Sequence, residues 1–366
     1  MRPTIKLVKI IALICAVAFI SACNKKPVWV FDAGYDVESS PAVSGGYVYV
    51  GSGDGANGRI YCLNAQTGEK VWEFISSVLI ESSPAVIDGF LYVGGSDTLV
   101  YCLNAQTGGL VWSYMPGGSV QSSPAVSGGY VYVGCTNKKL SCLNAATGAK
   151  VWEFETGGSV TSSPAVAGGY VYVGSSDNKV YCLNAATGAK EWEFETVYPV
   201  KSSPAVSGGY VYVGSNDSKI YCLDAATGVK AWDFATDDLV LSSPAVADGY
   251  VYIGSYDNKV YCLNAATGTK VWEFATGNAV SSSPAVTGDY VYVGSEDGKI
   301  YCLNAITGVK VSEFKTGSYV ESSPAVSGGY VYVGSSDKKL YCLNAAEGDN
   351  GSWPMFKCNP ERTGAK

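Results

Sequence analysis

One phrase returns every 40 residues along most of this chain, and a fixed step of that size leaves few folds open. Cys62, Cys102, Cys142, Cys182, Cys222, Cys262, Cys302 and Cys342 each sit in (Tyr/Ser)-Cys-Leu-(Asn/Asp)-Ala. Pro41, Pro84, Pro124, Pro164, Pro204, Pro244, Pro284 and Pro324 each follow a Ser-Ser pair. Only the first interval is longer, at 43, where Gly55-Ala56-Asn57-Gly58 extends one turn. A period near 40 means stacked supersecondary units, none able to bury its apolar face alone.

Each unit reads as four short strands. In the fourth these are Ser162–Val166, Tyr170–Gly174, Lys179–Leu183 and Lys190–Phe194, rich in Val, Tyr, Trp and Phe and too short for helices. The first two strands are joined by pairs such as Gly168-Gly169, Asp248-Gly249 or Gly288-Asp289, which tolerate positive φ in two-residue hairpins. The third and fourth are joined by Asn-Ala-x-Thr-Gly, where Asn can bond the turn backbone and Gly can take the left-handed position. The fold class is therefore all-β: an eight-bladed β-propeller of four-stranded antiparallel blades. A WD40 propeller would need a Gly-His pair, and the chain has no histidine.

Cys62-Leu63-Asn64-Ala65-Gln66-Thr67-Gly68-Glu69-Lys70-Val71-Trp72 resembles the tryptophan-docking motif of pyrroloquinoline-quinone (PQQ)-like, quinoprotein-type repeat propellers. The resemblance runs from Trp29 onward. Cys stands where that motif has Ala, and Asn replaces its Asp everywhere except Asp224. It implies that Trp29, Trp72, Trp112, Trp152, Trp192, Trp232 and Trp272 dock between blades, with Ser312 the one exception. Residues 29–346 form the propeller on this reading. Trp29-Val30-Phe31 precedes any complete unit, while the last unit lacks a regular fourth strand, so an N-terminal strand should close the ring and remove two sheet edges. The tail 347–366, carrying Trp353-Pro354-Met355-Phe356, competes for that place but contains a strand-breaking Pro, and is expected to pack on the last blade.

Residues 1–22 read as a signal peptide: Arg2, Lys6 and Lys9, then an apolar run from Ile10 to Ile20. Ile20-Ser21-Ala22-Cys23 resembles a bacterial lipoprotein cleavage box, which makes Cys23 the lipid-bearing residue and 23–28 a short tether. The formal charge is −7 with no basic run after the signal, so nucleic acid and anionic lipid are poor partners, and the lipid is the only membrane contact expected. The repeated cysteines occupy one equivalent position in eight separate sheets. Packed sheets lie about 10 Å apart, beyond disulfide reach, so these thiols read as small buried hydrophobes. Cys15 leaves with the signal, and Cys135 and Cys358 are expected to be free.

No catalytic residue is assigned. Without histidine there is neither a Ser-His-Asp nor a Cys-His arrangement nor an imidazole metal site. Asp54, Asp97, Asp177, Asp217, Asp257, Asp297 and Asp337 recur near the second hairpin and read as turn stabilisers rather than calcium ligands. No metal site and no cofactor is expected. The quinoprotein dehydrogenases that share the repeat carry an adjacent Cys-Cys pair, absent here.

The turns barely change between copies, whereas the linkers into each Ser-Ser-Pro vary freely. Linkers and second hairpins should share one rim of the disc. The residue before Ser-Ser is Glu321, Glu38 and Glu81 in consecutive blades, with Lys201 opposite, an acidic sector suited to a basic or polar partner. Tyr35, Tyr198, Tyr256 and Tyr319 could stack on ligands from the same rim. Lipobox, blades and size together resemble the BamB-type lipoproteins of outer-membrane β-barrel assembly. That resemblance implies a non-enzymatic, monomeric scaffold on the periplasmic side of the outer membrane, binding envelope proteins such as a β-barrel assembly complex. Two other readings remain open: a PQQ-dependent oxidoreductase, and a surface adhesin or glycan binder.

Overall fold

The computed structural model describes residues 26–346, which form thirty-two strands in eight four-stranded antiparallel sheets. The first blade runs outward from Ala42–Ser44 through Tyr47–Asp54 and Asn57–Asn64 to Lys70–Ser76. The three-residue inner strands lie against one another around the ring, the last against the first. The lipid-bearing Cys23, the signal segment, Cys358 and the tail all lie outside the described residues.

Closure is by the N-terminal strand. Trp29–Asp32 pairs antiparallel with Lys339–Asn344, Trp29 opposite Cys342 and Asp32 opposite Lys339, and completes the sheet that contains Ala325–Ser327 and Tyr330–Ser335. The eighth blade is therefore assembled from both ends of the described chain. No sheet is left short of its fourth strand.

The invariant turns meet on one rim. Gly45 and Gly46 have φ of 58° and 83°, the left-handed pair that a two-residue hairpin requires. The Asn64 carboxamide oxygen accepts the Gln66 and Thr67 amides, and the Ala65 amide donates to the Gly46 carbonyl at 2.9 Å. That last bond ties the two turns of a blade together and recurs in every blade. Because it consumes backbone groups, any residue that spoils either turn would leave a donor or acceptor unpaired.

Within each sheet one cross-strand row is decisive. Tyr49 lies opposite Cys62, and Cys62 opposite Trp72, so the small thiol fits between two large rings. All nine cysteines among the described residues are buried thiols outside any disulfide, including Cys135. Burial pushes the Cys62 thiol up to about 12, which keeps it neutral and inert.

Candidate partner-docking rim at the channel mouth

The structure places the seven tryptophans at blade junctions. Each indole N–H donates to an alanine carbonyl in the next blade's turn at 2.8–3.0 Å: Trp29 to Ala65, Trp72 to Ala105, Trp112 to Ala145, Trp152 to Ala185, Trp192 to Ala225, Trp232 to Ala265 and Trp272 to Ala305. The turn glycine lies flat on that indole; a Cβ on Gly68 would meet the Trp29 ring at 2.6 Å. Each of these contacts ties one blade to the next.

The Ser-Ser pairs line the inside. The second serine of each pair donates its amide to the hydroxyl of its counterpart in the next blade, from Ser40 to Ser83 at 2.9 Å and onward, until Ser323 donates to Ser40 at 3.0 Å. The result is a closed belt of eight hydrogen bonds. The first serine hydroxyl accepts an amide within its own blade, as Ser39 does from Gly51 at 3.1 Å. Sequence reasoning noted this pair without seeing its use. Its signal was a hydroxyl that never varied at a buried site.

Linkers and second hairpins occupy the opposite rim, joined by bonds such as Ser96 N–H to Leu79 and Glu296 N–H to Ala279. Here the recurring aspartates act as clasps between adjacent blades. Asp177 accepts the Tyr181 hydroxyl at 2.7 Å from its own blade and the Gly157 amide at 2.6 Å from the incoming linker. Asp217, Asp257, Asp297 and Asp337 repeat the arrangement with Tyr221, Tyr261, Tyr301 and Tyr341. Asp97 takes Tyr101 and the Ser76 hydroxyl, while Asp54 caps its own longer loop.

Inside that clasp ring lies an arc of carboxylates with a different fate. Burial first, then the charges of Glu321, Glu81 and Asp36, push the Glu38 carboxyl from its ordinary 4.5 up to about 7. Glu321 is raised as well, by burial and then by Glu296 and Asp36. The structure thus brings Glu38, Glu81 and Glu321 into one electrostatic group and adds Asp36 and Glu296, which the sequence reading did not single out. Glu296 was legible as the one acid at a variable hairpin position, next to the recurring Asp297. Among the described residues none of these five carboxylates is in an ion pair. Nor do any three His, Cys, Asp or Glu side chains among the described residues converge to hold a metal.

The tyrosines divide. Tyr198 and Tyr319 are exposed, but Tyr35 is half-buried beneath Arg59, whose guanidinium carbon stands 6.0 Å from the ring centre. Tyr256 is half-buried too, against the expectation of an exposed ring. Burial and a hydrogen bond to Glu296 push its phenol up to about 12, making it part of the acidic arc. Lys201 is exposed in the fifth blade and joins none of this.

A family model described as outer membrane protein assembly factor BamB matches residues 56–159, 96–200, 136–255 and 256–353, and a model of the LVIVD repeat matches 39–56. No curated protein matches the chain. Among solved structures, BamB from Moraxella catarrhalis is 20% identical with a TM-score of 0.75, covering 87% of this chain and 99% of that one. The computationally designed Ika8 protein is 19% identical with a TM-score of 0.77, covering 86% and 97%. The quinohemoprotein alcohol dehydrogenase of Comamonas testosteroni is 14% identical with a TM-score of 0.74, covering 91% and 79%. At such identities the structural likenesses establish the eight-bladed fold, while the overlapping model matches, spanning most of the chain, establish the family. The chain belongs to the outer membrane protein assembly factor BamB family of PQQ-like repeat propellers.

Proposed function

We propose that this propeller is a non-enzymatic scaffold whose acidic channel mouth takes a basic or polar segment of an envelope protein, in the setting of outer-membrane assembly that its family name describes. The observation that carries this reading is the arc of Asp36, Glu38, Glu81, Glu296 and Glu321. Burial and the neighbouring carboxylates raise the Glu38 and Glu321 carboxyls, and among the described residues none of the five is in an ion pair. Crowding like charges at a partly buried site costs stability, and a cationic partner would relieve that cost. A photo-reactive side chain at residue 81 should cross-link envelope proteins in intact cells, while the same group at residue 150 on the outer wall should not. Equal cross-linking from both places would remove the rim from consideration.

Cys23 is the proposed anchor. Five residues separate it from Trp29, a reach of roughly 20 Å, which would hold the disc close to the membrane. Cys23→Ser should move the protein from the membrane fraction to the soluble periplasm.

The dehydrogenase neighbours support a second reading, a quinone-dependent oxidoreductase. The donor chemistry on the page does not suit it. Among the described residues no three acidic or cysteine side chains converge to hold a cation, and no two cysteines are adjacent in the sequence. Quinone and calcium added to the purified protein should leave its absorbance the sum of the parts; a shifted quinone band would revive the enzyme.

A further inference from the structure

The outermost strand of a blade has a neighbour on one side only, so its other edge offers backbone N–H and C=O groups to any extended chain. Six blades guard that edge alike. Each outermost strand opens on lysine with an acid three residues on, and the two form an ion pair, from Lys70 with Glu73 to Lys310 with Glu313. The closing strand of the eighth blade ends on Asp32. Only the second blade has an outermost strand, Leu110–Tyr114, without a charged residue.

The change is concerted. Blade three sets Glu153 between Lys139 at 2.6 Å and Lys150 at 3.4 Å. Blade two has Ser113, Leu99 and Leu110 at those three places, and Met115 where blade three has Glu155. All four replacements remove charge. Leu110 and Met115 are 53% and 64% exposed, and Ile75, which holds the place of Met115 in blade one, is 61% exposed. Among the described residues Leu110–Tyr114 pairs only with Val100–Asn104, which leaves its outer edge bare.

We propose that the bare edge of blade two is a docking site for an extended, uncharged segment of another polypeptide, which adds to the blade as a fifth strand. Backbone hydrogen bonds along the edge hold the segment, and its alternate apolar side chains cover Leu110 and Met115. The lysines of the other outermost strands set a charge in the path of such a segment, and blade two sets none. A second copy of the chain fits the edge less well. Two convex outer walls that meet along strands of 5 residues cover far less than the ~800 Å² per partner of a stable dimer. A single extended segment can follow the strand along its whole length. Binding here uses no charge, so it stands apart from the acidic mouth and from the reading built on it.

The test measures fluorescence anisotropy of a fluorescein-labelled peptide of alternating Val and Ser, added to the full chain. A second peptide, N-methylated throughout, keeps the side chains and loses the backbone donors. The parent should bind the first peptide, with little dependence on salt, and should not bind the second. Leu110→Lys with Ser113→Glu gives blade two the pattern of blade three, so the variant should melt as the parent does while its affinity falls at least about ten-fold. Should that pair disturb the fold, Met115→Glu at the exposed end of the strand reads the same loss. Equal binding by the folded variants, equal binding of the N-methylated peptide, or a parent that binds neither peptide would overturn the proposal. Sedimentation of the parent alone should show a monomer. A dimer abolished by Leu110→Lys with Ser113→Glu would assign the edge to a second copy and overturn the proposal too.

Discussion

On the outer wall of the disc, Glu153 lies 2.6 Å from Lys139 and 3.4 Å from Lys150, and Glu193 lies 2.6 Å from Lys179 and 2.7 Å from Lys190. At the channel mouth Glu38 faces Glu81, Glu321 and Asp36 instead. The wall lysines hold the Glu153 and Glu193 carboxyls below their usual range, whereas crowding and burial raise Glu38 and Glu321. The wall pairs several of its acids by setting lysines beside them on the same or the neighbouring strand. Among the described residues the mouth acids Asp36, Glu38, Glu81, Glu296 and Glu321 have no such lysine partner, the feature on which the proposed docking surface rests.

The largest effects should come from neither set. Trp192→Ala removes a junction indole and its bond to Ala225, and should cost about 3–5 kcal/mol by chemical denaturation. An unmoved midpoint would mean that the junctions do not support the ring. Ser243→Ala strips the belt of one hydroxyl and leaves the buried Ser203 amide without that acceptor, for a loss of about 1–3 kcal/mol.

Next in size is the mouth itself. Because the folded state raises the Glu38 pKa, it holds that proton more tightly than the unfolded chain does. The carboxyl therefore costs stability increasingly as pH rises from about 4.5 through 7. Glu38→Gln should stabilise the protein at pH 8 by about 0.5–1 kcal/mol, solvent screening having reduced the full effect, and should do nothing at pH 4. Stabilisation that is equal at both pH values would trace to packing rather than charge. Smallest is the wall. Lys150→Ala should cost no more than about 0.5 kcal/mol, the ordinary worth of an exposed pair, and added salt should erase the difference.

Repetition explains why the architecture was legible. A turn residue seen once is ambiguous, but Asn-Ala-x-Thr-Gly at a constant step admits only one kind of unit, and the stray Trp29-Val30-Phe31 before the first unit exposed the closure. Groups that act between blades were harder to read. The Ser40-to-Ser83 bond joins residues 43 apart, and the clasp by Asp177 joins residues 20 apart, so no local pattern marks either. Blade three shows the coupling in reverse. Asn137 stands there in place of the aspartate and Ser141 in place of its tyrosine; Asn137 still holds the incoming linker by donating its Nδ2–H to the Pro116 carbonyl at 2.6 Å, so the clasp keeps its linker half and loses its tyrosine half. The acidic arc was half legible. Glu38, Glu81 and Glu321 share a repeat position, but Asp36, Glu296 and Tyr256 reach the same place from different loops.

The separation of wall from mouth is tested most directly by charge reversal and capture from native envelopes. One variant carries Glu38→Lys, Glu81→Lys and Glu321→Lys. The other carries Lys70→Glu, Lys150→Glu and Lys270→Glu on the outer strands. The mouth variant should remain folded, lose most of its cross-linked partners and lose the salt dependence of what it retains, while the wall variant captures partners as the parent does. Normal capture by the mouth variant together with failure of the wall variant would place the working surface on the outer strands and contradict the account.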